Sequence, residues 1–343
     1  MPSQSHPREH TYRPAWWVPG AHAQTLWGKF ARRAPAVSTR IERWSTPDND
    51  FIDLLRLDAD PERPRLFLLH GLEGTVRSHY VGGLLQMAQR RNWGADMLVF
   101  RGCGPELNRA PRFYHSGETS DAAFAIDRVL QEFPRAPLVL CGVSLGGNVL
   151  LKWLGERGEA LPDRVRAAAA ISVPFDLERG SRYISKGFSR TYERHFLRTL
   201  RRKAEEKLRR FPGLFDLDAM RRARSLYEFD DVVTAPIHGF RDAHDYYARS
   251  SSLQFLGRIR RPTLLLSAMD DPFLPADVLN DVAAIVNKNR CLTADFTNGG
   301  GHVGFVAGPP WRPEYYAERR VSDFLADALA HDTVEQRHAS ASR

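Results

Sequence analysis

The stretch Leu138-Val-Leu-Cys-Gly-Val-Ser144-Leu-Gly-Gly-Asn-Val-Leu-Leu151 constrains this chain more than any other. Leu138 to Cys141 reads as a short buried strand. Gly142-Val143-Ser144-Leu145-Gly146 follows at once, and an apolar helical pattern begins behind it. A G-x-S-x-G pentapeptide is common by chance, but between a strand and a helix it has the context of a nucleophile elbow. A serine on so sharp a turn leaves little room for side chains two positions before and after it, and glycine stands at both. The turn lifts the hydroxyl out of the sheet. The start of the helix then turns free backbone N–H groups toward any oxygen that becomes negative.

At 343 residues the chain has room for a sizeable core, as one large α/β domain with an insertion or as two small domains. Its 43% hydrophobic and 26% charged content is that of an ordinary globule. No run of 18 apolar residues suggests a membrane span, and the charged, proline-bearing first thirty residues lack the apolar centre of a signal peptide. Three cysteines, Cys103, Cys141 and Cys291, with no C-x-x-C pair, fit a reducing cytoplasm without disulfides or a zinc site. The net charge of +8 is local. Ser181 to Arg210 carries eleven Lys or Arg against three Glu, a net of +8 (11 − 3) that equals the whole excess. Such a segment is read first as a solvated helix. Anionic lipid head groups are the other surface it would suit, for a transient contact, and nucleic acid is not expected as a partner.

Residues 1–13 are polar and read as a disordered tail. Pro14 to Trp27 is turn-rich, holds three of the seven tryptophans and reads as packing against the body of the domain. Arg40–Ser45 and Phe51–Leu57 form an expected antiparallel pair around Pro47-Asp-Asn-Asp50. Strands at Leu66–His70, Ala95–Phe100, Leu138–Cys141 and Arg166–Val173 then alternate with helices at Ser78–Arg91, Glu118–Phe133 and Gly147 to about Gly155. This alternation predicts a mostly parallel central sheet flanked by helices. It breaks after Pro174. Residues 175–260 carry long basic helical patterns such as Phe188–Phe211 and read as an inserted helical cap. Strands resume at Pro262–Ser267 and Arg290–Phe296, and a last helix begins near Pro313. The core is thus 14–174 with 261–330, and 331–343 reads as a second disordered tail.

Asp270-Asp271-Pro272 follows the late strand, and Gly299-Gly-Gly-His302 lies between the last strand and the last helix. The order Ser, Asp, His is that of the α/β-hydrolase fold. A serine needs a neighbouring base, a histidine can serve near neutral pH, and a carboxylate behind it fixes its tautomer. Asp271, in the sequence D-x-x-L-P, is preferred as the acid, with Asp270 the alternative that spacing leaves open. The oxyanion donors are expected at the N–H groups of Leu145 and Leu72, and His70 is expected to shape the loop that carries Leu72. No cofactor is implied, and no metal-ligand spacing is present.

His70-Gly-Leu-Glu-Gly74, Arg101-Gly-Cys-Gly104, Tyr114-His-Ser-Gly-Glu-Thr119, Gly142-Val-Ser-Leu-Gly-Gly-Asn148, Asp270-Asp-Pro-Phe273 and Gly300-Gly-His-Val-Gly-Phe305 agree in order, and together the chain resembles the YheT-like α/β-hydrolases. That group is related to eukaryotic alpha/beta hydrolase domain-containing lipid esterases and yeast medium-chain ethyl ester synthases. Gly20-Ala-His-Ala-Gln-Thr25 is similar too, so the likeness spans roughly residues 14–330. The resemblance implies a carboxylic ester hydrolase that works through an acyl-enzyme on Ser144, Asp271 and His302. A short- or medium-chain acyl ester is the expected substrate. An acyltransferase with an alcohol acceptor is the alternative, and a non-catalytic basic binding protein is a third reading.

Overall fold

The computed structural model describes residues 11–341, with side chains described as far as His331. Residues 1–10, most of the N-terminal tail expected from the sequence, lie outside the described residues. Tyr12, assigned to that tail, packs instead: its ring lies 5.0 Å from that of Tyr316, and its hydroxyl donates to the Val306 carbonyl at 3.1 Å.

Eight strands form one sheet: β1 (Arg40–Ser45), β2 (Phe51–Leu57), β3 (Arg65–Leu69), β4 (Gly94–Val99), β5 (Leu138–Val143), β6 (Val165–Ile171), β7 (Thr263–Ala268) and β8 (Leu292–Thr297), in the spatial order β1-β2-β4-β3-β5-β6-β7-β8. β2 runs antiparallel to both its neighbours, and every other pairing is parallel. The near-continuous apolar runs explain this. β3, β5 and β7 are buried at every position, as strands covered on both faces must be. The chain winds one way from β3 to β4 and the other way from β5 to β6, so the crevice at the switch opens beside the carboxyl ends of β3 and β5. Their register pairs Leu69 with Gly142. The loop after β3 therefore starts beside the serine turn after β5.

The helices preceding and interleaved with the early strands are α1 (Gly20–Phe30), α2 (His79–Arg90), α3 (Ser120–Glu132) and α4 (Leu145–Arg157). α1 falls where the sequence reads as turn-rich. The prolines and Gly20 end at its first turn, and no further proline follows before Phe30, with Ala21, Ala23, Gln24, Leu26 and Lys29 as good helix formers. Between β6 and β7 the described elements are all helical: α5 (Leu177–Ile184), α6 (Arg190–Arg210), α7 (Leu217–Arg222), α8 (Leu226–Phe229), a π-helical turn at Asp230–Thr234, α9 (Ala235–His238) and α10 (Ala243–Ser250), closed by a 3-10 stretch at Ser252–Arg258. Leu197, Ala204, Phe215, Met220, Phe229 and Val233 form a small core of their own there, apart from the main one. α11 (Asp277–Val286) links β7 to β8. The last helix, α12 (Tyr316–Ala341), starts later than Pro313 and continues past His331, where the sequence suggested a mobile tail. No glycine or proline occurs between Tyr316 and Ala341 to stop it.

One buried polar cluster is hidden in the strand pattern. Asp96 of β4 accepts from Arg56 Nε at 2.7 Å and from Arg65 Nε at 2.8 Å, and all three side chains are almost wholly excluded from solvent. The Arg65 guanidinium also lies over the Phe133 ring, 3.8 Å from its centroid. Removing the shared carboxylate leaves the Arg65 charge buried without an ion-pair partner among the described residues and takes from Arg56 its one fully buried partner, Glu42 and Glu132 still holding its Nη1. Asp96→Ala is expected to lose about 3–5 kcal/mol of unfolding free energy, measured by urea denaturation. A loss below 1 kcal/mol would show that the cluster is not held as described.

Candidate active site

Ser144 has φ 53° and ψ −120°, a conformation that ordinary side chains avoid. Hydrogen bonds hold it there. Its N–H donates to the Ile171 carbonyl of β6 at 2.8 Å, and its carbonyl accepts from the Asn148 N–H at 3.1 Å. The flanking glycines are a matter of space. A Cβ on Gly142 would come within 2.5 Å of the Gly146 carbonyl oxygen, and one on Gly146 would collide with the carbonyl oxygens of Leu69 and His70. The Asn148 side chain, one turn into α4, donates to the carbonyls of Ser116 and Ser250, both at 2.8 Å, and accepts from Ser252 N–H at 2.9 Å. It thereby ties the serine turn to the end of the helical segment.

His302 is brought to Ser144 from 158 residues away. Its Nε2 lies 3.0 Å from Ser144 Oγ, and its Nδ1 lies 2.8 Å from Asp271 Oδ2. The two adjacent aspartates part company here. Asp271 is buried, touches His302 and takes the Phe273 N–H on its other oxygen at 2.8 Å. Asp270 points elsewhere and accepts the Gly301 N–H at 2.9 Å, so it braces the histidine loop from outside. Burial pushes the Asp270 carboxyl above its ordinary range. The Phe273 ring stacks on the imidazole with centroids 4.0 Å apart. Residue types alone do not reveal that contact, although Phe273 closes the Asp270-Asp-Pro-Phe273 motif.

The histidine loop is also clamped by α1. Thr25 Oγ1 accepts the His302 N–H at 2.9 Å and donates to the Ala21 carbonyl at 2.7 Å. The buried Gln24 side chain accepts from Val306 N–H at 2.7 Å and donates to the Val306 carbonyl at 3.2 Å. Gly301, at φ +58°, admits this close approach, since a Cβ there would strike the Ala21 carbonyl. From sequence this stretch reads as packing against the body of the domain. Its polar pair Gln24-Thr25 inside an apolar segment was the available signal.

The loop after β3 presents the second expected donor. Gly71 N–H is held by Tyr80 Oη at 2.8 Å and Glu73 N–H by Tyr114 Oη at 2.7 Å. Between these two pinned amides lies the N–H of Leu72, which has no acceptor among the described residues; nor has that of Leu145 at the start of α4. Sequence alone does not mark the two tyrosines as loop supports, because the amides they hold are 9 and 41 residues away. His70 is fully buried. Its Nε2 accepts the Phe100 N–H at 3.1 Å and its Nδ1 donates to the Gly71 carbonyl at 2.8 Å, which defines a neutral imidazole that shapes the loop.

Ser144 and His302 open into a cavity of about 820 Å³, a size suited to a small organic ligand. Its walls are mostly apolar: Leu26, Leu145, Leu177, Ile184, Leu200 and Phe229 contribute. Phe30 and Phe188, 74% and 53% exposed, also line it and mark its side toward solvent. No helix among the described residues is long and apolar enough to cross a membrane.

A model of the alpha/beta hydrolase fold family matches residues 64–309. The chain is also 40% identical over 313 residues to YheT of Escherichia coli (strain K12), a match covering 90% of this chain and 91% of that one. The chain belongs to the YheT-like α/β-hydrolase family. Phospholipase ABHD3 of Homo sapiens is 30% identical over 330 residues, covering 94% of this hydrolase and 80% of that protein. Monoacylglycerol lipase of Saccharomyces cerevisiae is 28% identical over 272 residues, covering 77% and 59%. Among solved structures, the esterase Pf2001 of Pyrococcus furiosus superposes with a TM-score of 0.56 over 85% of this hydrolase and 93% of that chain. At 16% identity it speaks for the fold alone.

Buried histidines give this hydrolase a defined response to acid. Burial pushes His70 and His79 down from 6.5 to about 4, and for His79 the nearby Arg32 adds to the effect. Between pH 6.5 and 4 the unfolded chain binds protons that the folded one does not, so acidification through that window costs stability, which is intact above it. Asp230, pushed up from 3.8 to about 6 by burial, acts with the opposite sign over a narrower window. The net expectation is a Tm that falls steadily from pH 6.5 to 4.5, read by scanning calorimetry. A flat or rising Tm would contradict the neutral, buried imidazoles.

Proposed function

We propose that this protein is a serine hydrolase that cleaves short- or medium-chain acyl esters through an acyl-enzyme. The observation that carries the reading is the unbroken hydrogen-bonded line from Ser144 Oγ through His302 to Asp271. The names of the relatives, a phospholipase and a monoacylglycerol lipase among them, support an ester as the substrate. The apolar cavity supports an acyl chain as its occupant.

His302 Nε2 takes the proton of Ser144 Oγ as the oxygen attacks the ester carbonyl carbon. The N–H groups of Leu72 and Leu145 receive the developing oxyanion. Collapse expels the alcohol, which leaves with the proton from His302. Water, activated by the same imidazole, then cleaves the acyl-enzyme. Asp271 keeps the Nδ1 proton in place, so that Nε2 faces the serine as an acceptor, and it stabilises the imidazolium. Asp270 takes no part in proton transfer.

The three cysteines are free, which supports a reducing compartment and hence the cytoplasm. A transient lipid contact is supported by one observation. The exposed Phe30 and Phe188 stand at the cavity beside Lys29, and the exposed Arg194 and Arg198 lie on the nearby α6. Co-sedimentation with vesicles containing phosphatidylserine is expected to exceed that with neutral vesicles and to fall for Phe30→Ser/Phe188→Ser. Equal partition would remove the idea.

The main test is hydrolysis of p-nitrophenyl esters from acetyl to palmitoyl. Ser144→Ala is expected to lower kcat by about 10⁶-fold, which abolishes measurable turnover, and Asp271→Asn by about 10⁴-fold. Asp270→Asn is expected to cost far less, and the wild type to show a chain-length optimum. Full activity in Ser144→Ala would end the mechanism. An excess of ethyl ester over free acid in the presence of ethanol would move the reading to acyl transfer.

A further inference from the structure

The basic helix α6 is not simply a solvated surface. Two of its lysines, one turn apart, are turned into the body of the protein. Lys207 is buried and donates to the carbonyls of Asn108, at 2.6 Å, and Ala110. Lys203 Nζ donates to Glu73 Oε1 at 2.7 Å, with the two side chains only 17% and 8% exposed. Glu73 follows Leu72 directly in the loop after β3.

That ion pair closes a ring of contacts on the backbone. The same Glu73 Oε1 accepts from Tyr114 Oη at 2.9 Å, while Tyr114 Oη accepts the Glu73 N–H at 2.7 Å. The phenol is itself fixed, its ring stacked on Phe100 at 5.3 Å and Phe100 set edge-on to His70 at 4.7 Å. Glu73 needs such support because it has φ +54°, a left-handed conformation that a residue other than glycine holds only when its surroundings fix it. Charge matters as much as position. A carboxylate one residue from an N–H meant to bind an oxyanion opposes that binding unless a cation neutralises it. Lys203 makes the one ion pair of Glu73 among the described residues.

We propose that Lys203 is a positioning residue for the oxyanion loop. From the helical segment above the sheet it neutralises and fixes Glu73, and through Glu73 and Tyr114 it holds the Leu72 N–H toward Ser144. The inference rests on the serine hydrolase reading given above. It adds that part of the transition-state stabilisation is supplied across the boundary between helical segment and sheet. An enzyme whose helical segment is displaced there is slow even with Ser144, His302 and Asp271 intact.

The experiment compares Lys203→Met, Lys203→Arg and the double variant Glu73→Gln/Lys203→Met on a p-nitrophenyl ester. It adds two inhibitors with the same acyl chain: a trifluoromethyl ketone, which forms an oxyanion with Ser144, and a non-electrophilic ether. Lys203→Met is expected to lower kcat about tenfold, a fraction of what deleting an oxyanion donor costs, with KM changed less than about twofold. Affinity for the trifluoromethyl ketone falls in proportion, and affinity for the ether does not change. Lys203→Arg and the double variant, in which no charge is left unpaired, recover most of the rate. The inference is overturned if Lys203→Met keeps the wild-type kcat, if the ether loses affinity as much as the ketone, or if the double variant is no faster than Lys203→Met. Labelling of the wild type by a fluorophosphonate separates this from the underlying reading. A wild type that neither labels at Ser144 nor turns over ester removes both, whereas a wild type that does so beside an equally fast Lys203→Met removes this inference alone.

Discussion

Everything near the cavity depends on one close approach: the turn carrying Ser144 lies against the end of β3 with no side chain between them. The carbonyls of Leu69 and His70 occupy the space that a Cβ on Gly146 would need. Contact at that range sets the serine turn beside the loop that follows β3, and it leaves Ser144 in a backbone conformation worth roughly 1–3 kcal/mol of strain. The sheet supplies the restraint. Ile171 of β6 accepts the serine N–H, and the register that pairs Leu69 with Gly142 fixes the two strand ends relative to each other.

Around this point the supports are polar, and each is anchored in a different part of the chain. Tyr80 of α2 and Tyr114 hold the amides on either side of Leu72. Thr25 and Gln24 of α1 hold the loop of His302, and Ser172 Oγ accepts the Val303 N–H at 3.1 Å. Asn148 joins the serine helix to Ser116 and Ser250. Hydrogen bonds of this kind specify direction, which apolar packing alone does not. An apolar cavity can vary in shape while Ser144, His302 and Asp271 stay where they are.

The legible parts of this structure are those whose cause is local in sequence. The strands announce themselves as apolar runs, and the elbow as a serine between glycines behind one of them. The order Ser144, Asp271, His302 follows the chain. Asp270 and Asp271 could not be separated by spacing because neighbouring residues on a turn point in different directions, one to His302 and one to the Gly301 amide. Asp96 vanished into a strand that was otherwise apolar, since its partners Arg56 and Arg65 lie on two other strands. Lys203 was one of eleven basic residues in a segment whose composition says surface. Only the packing of α6 distinguishes it from Arg198 or Arg202, which remain exposed.

The clamp between Thr25 and His302 joins residues 277 positions apart. During synthesis α1 leaves the ribosome long before its partner loop exists. The sheet can assemble strand by strand from neighbouring segments, but the histidine loop acquires its final shape only when the two ends of the fold meet. A nascent chain lacking the last strand therefore carries the serine turn without the loop that brings His302 to it, and that contact arrives in one late step. Contacts of such long sequence separation form slowly. On the serine hydrolase reading proposed above, this one makes the appearance of chemistry a marker for the completion of folding.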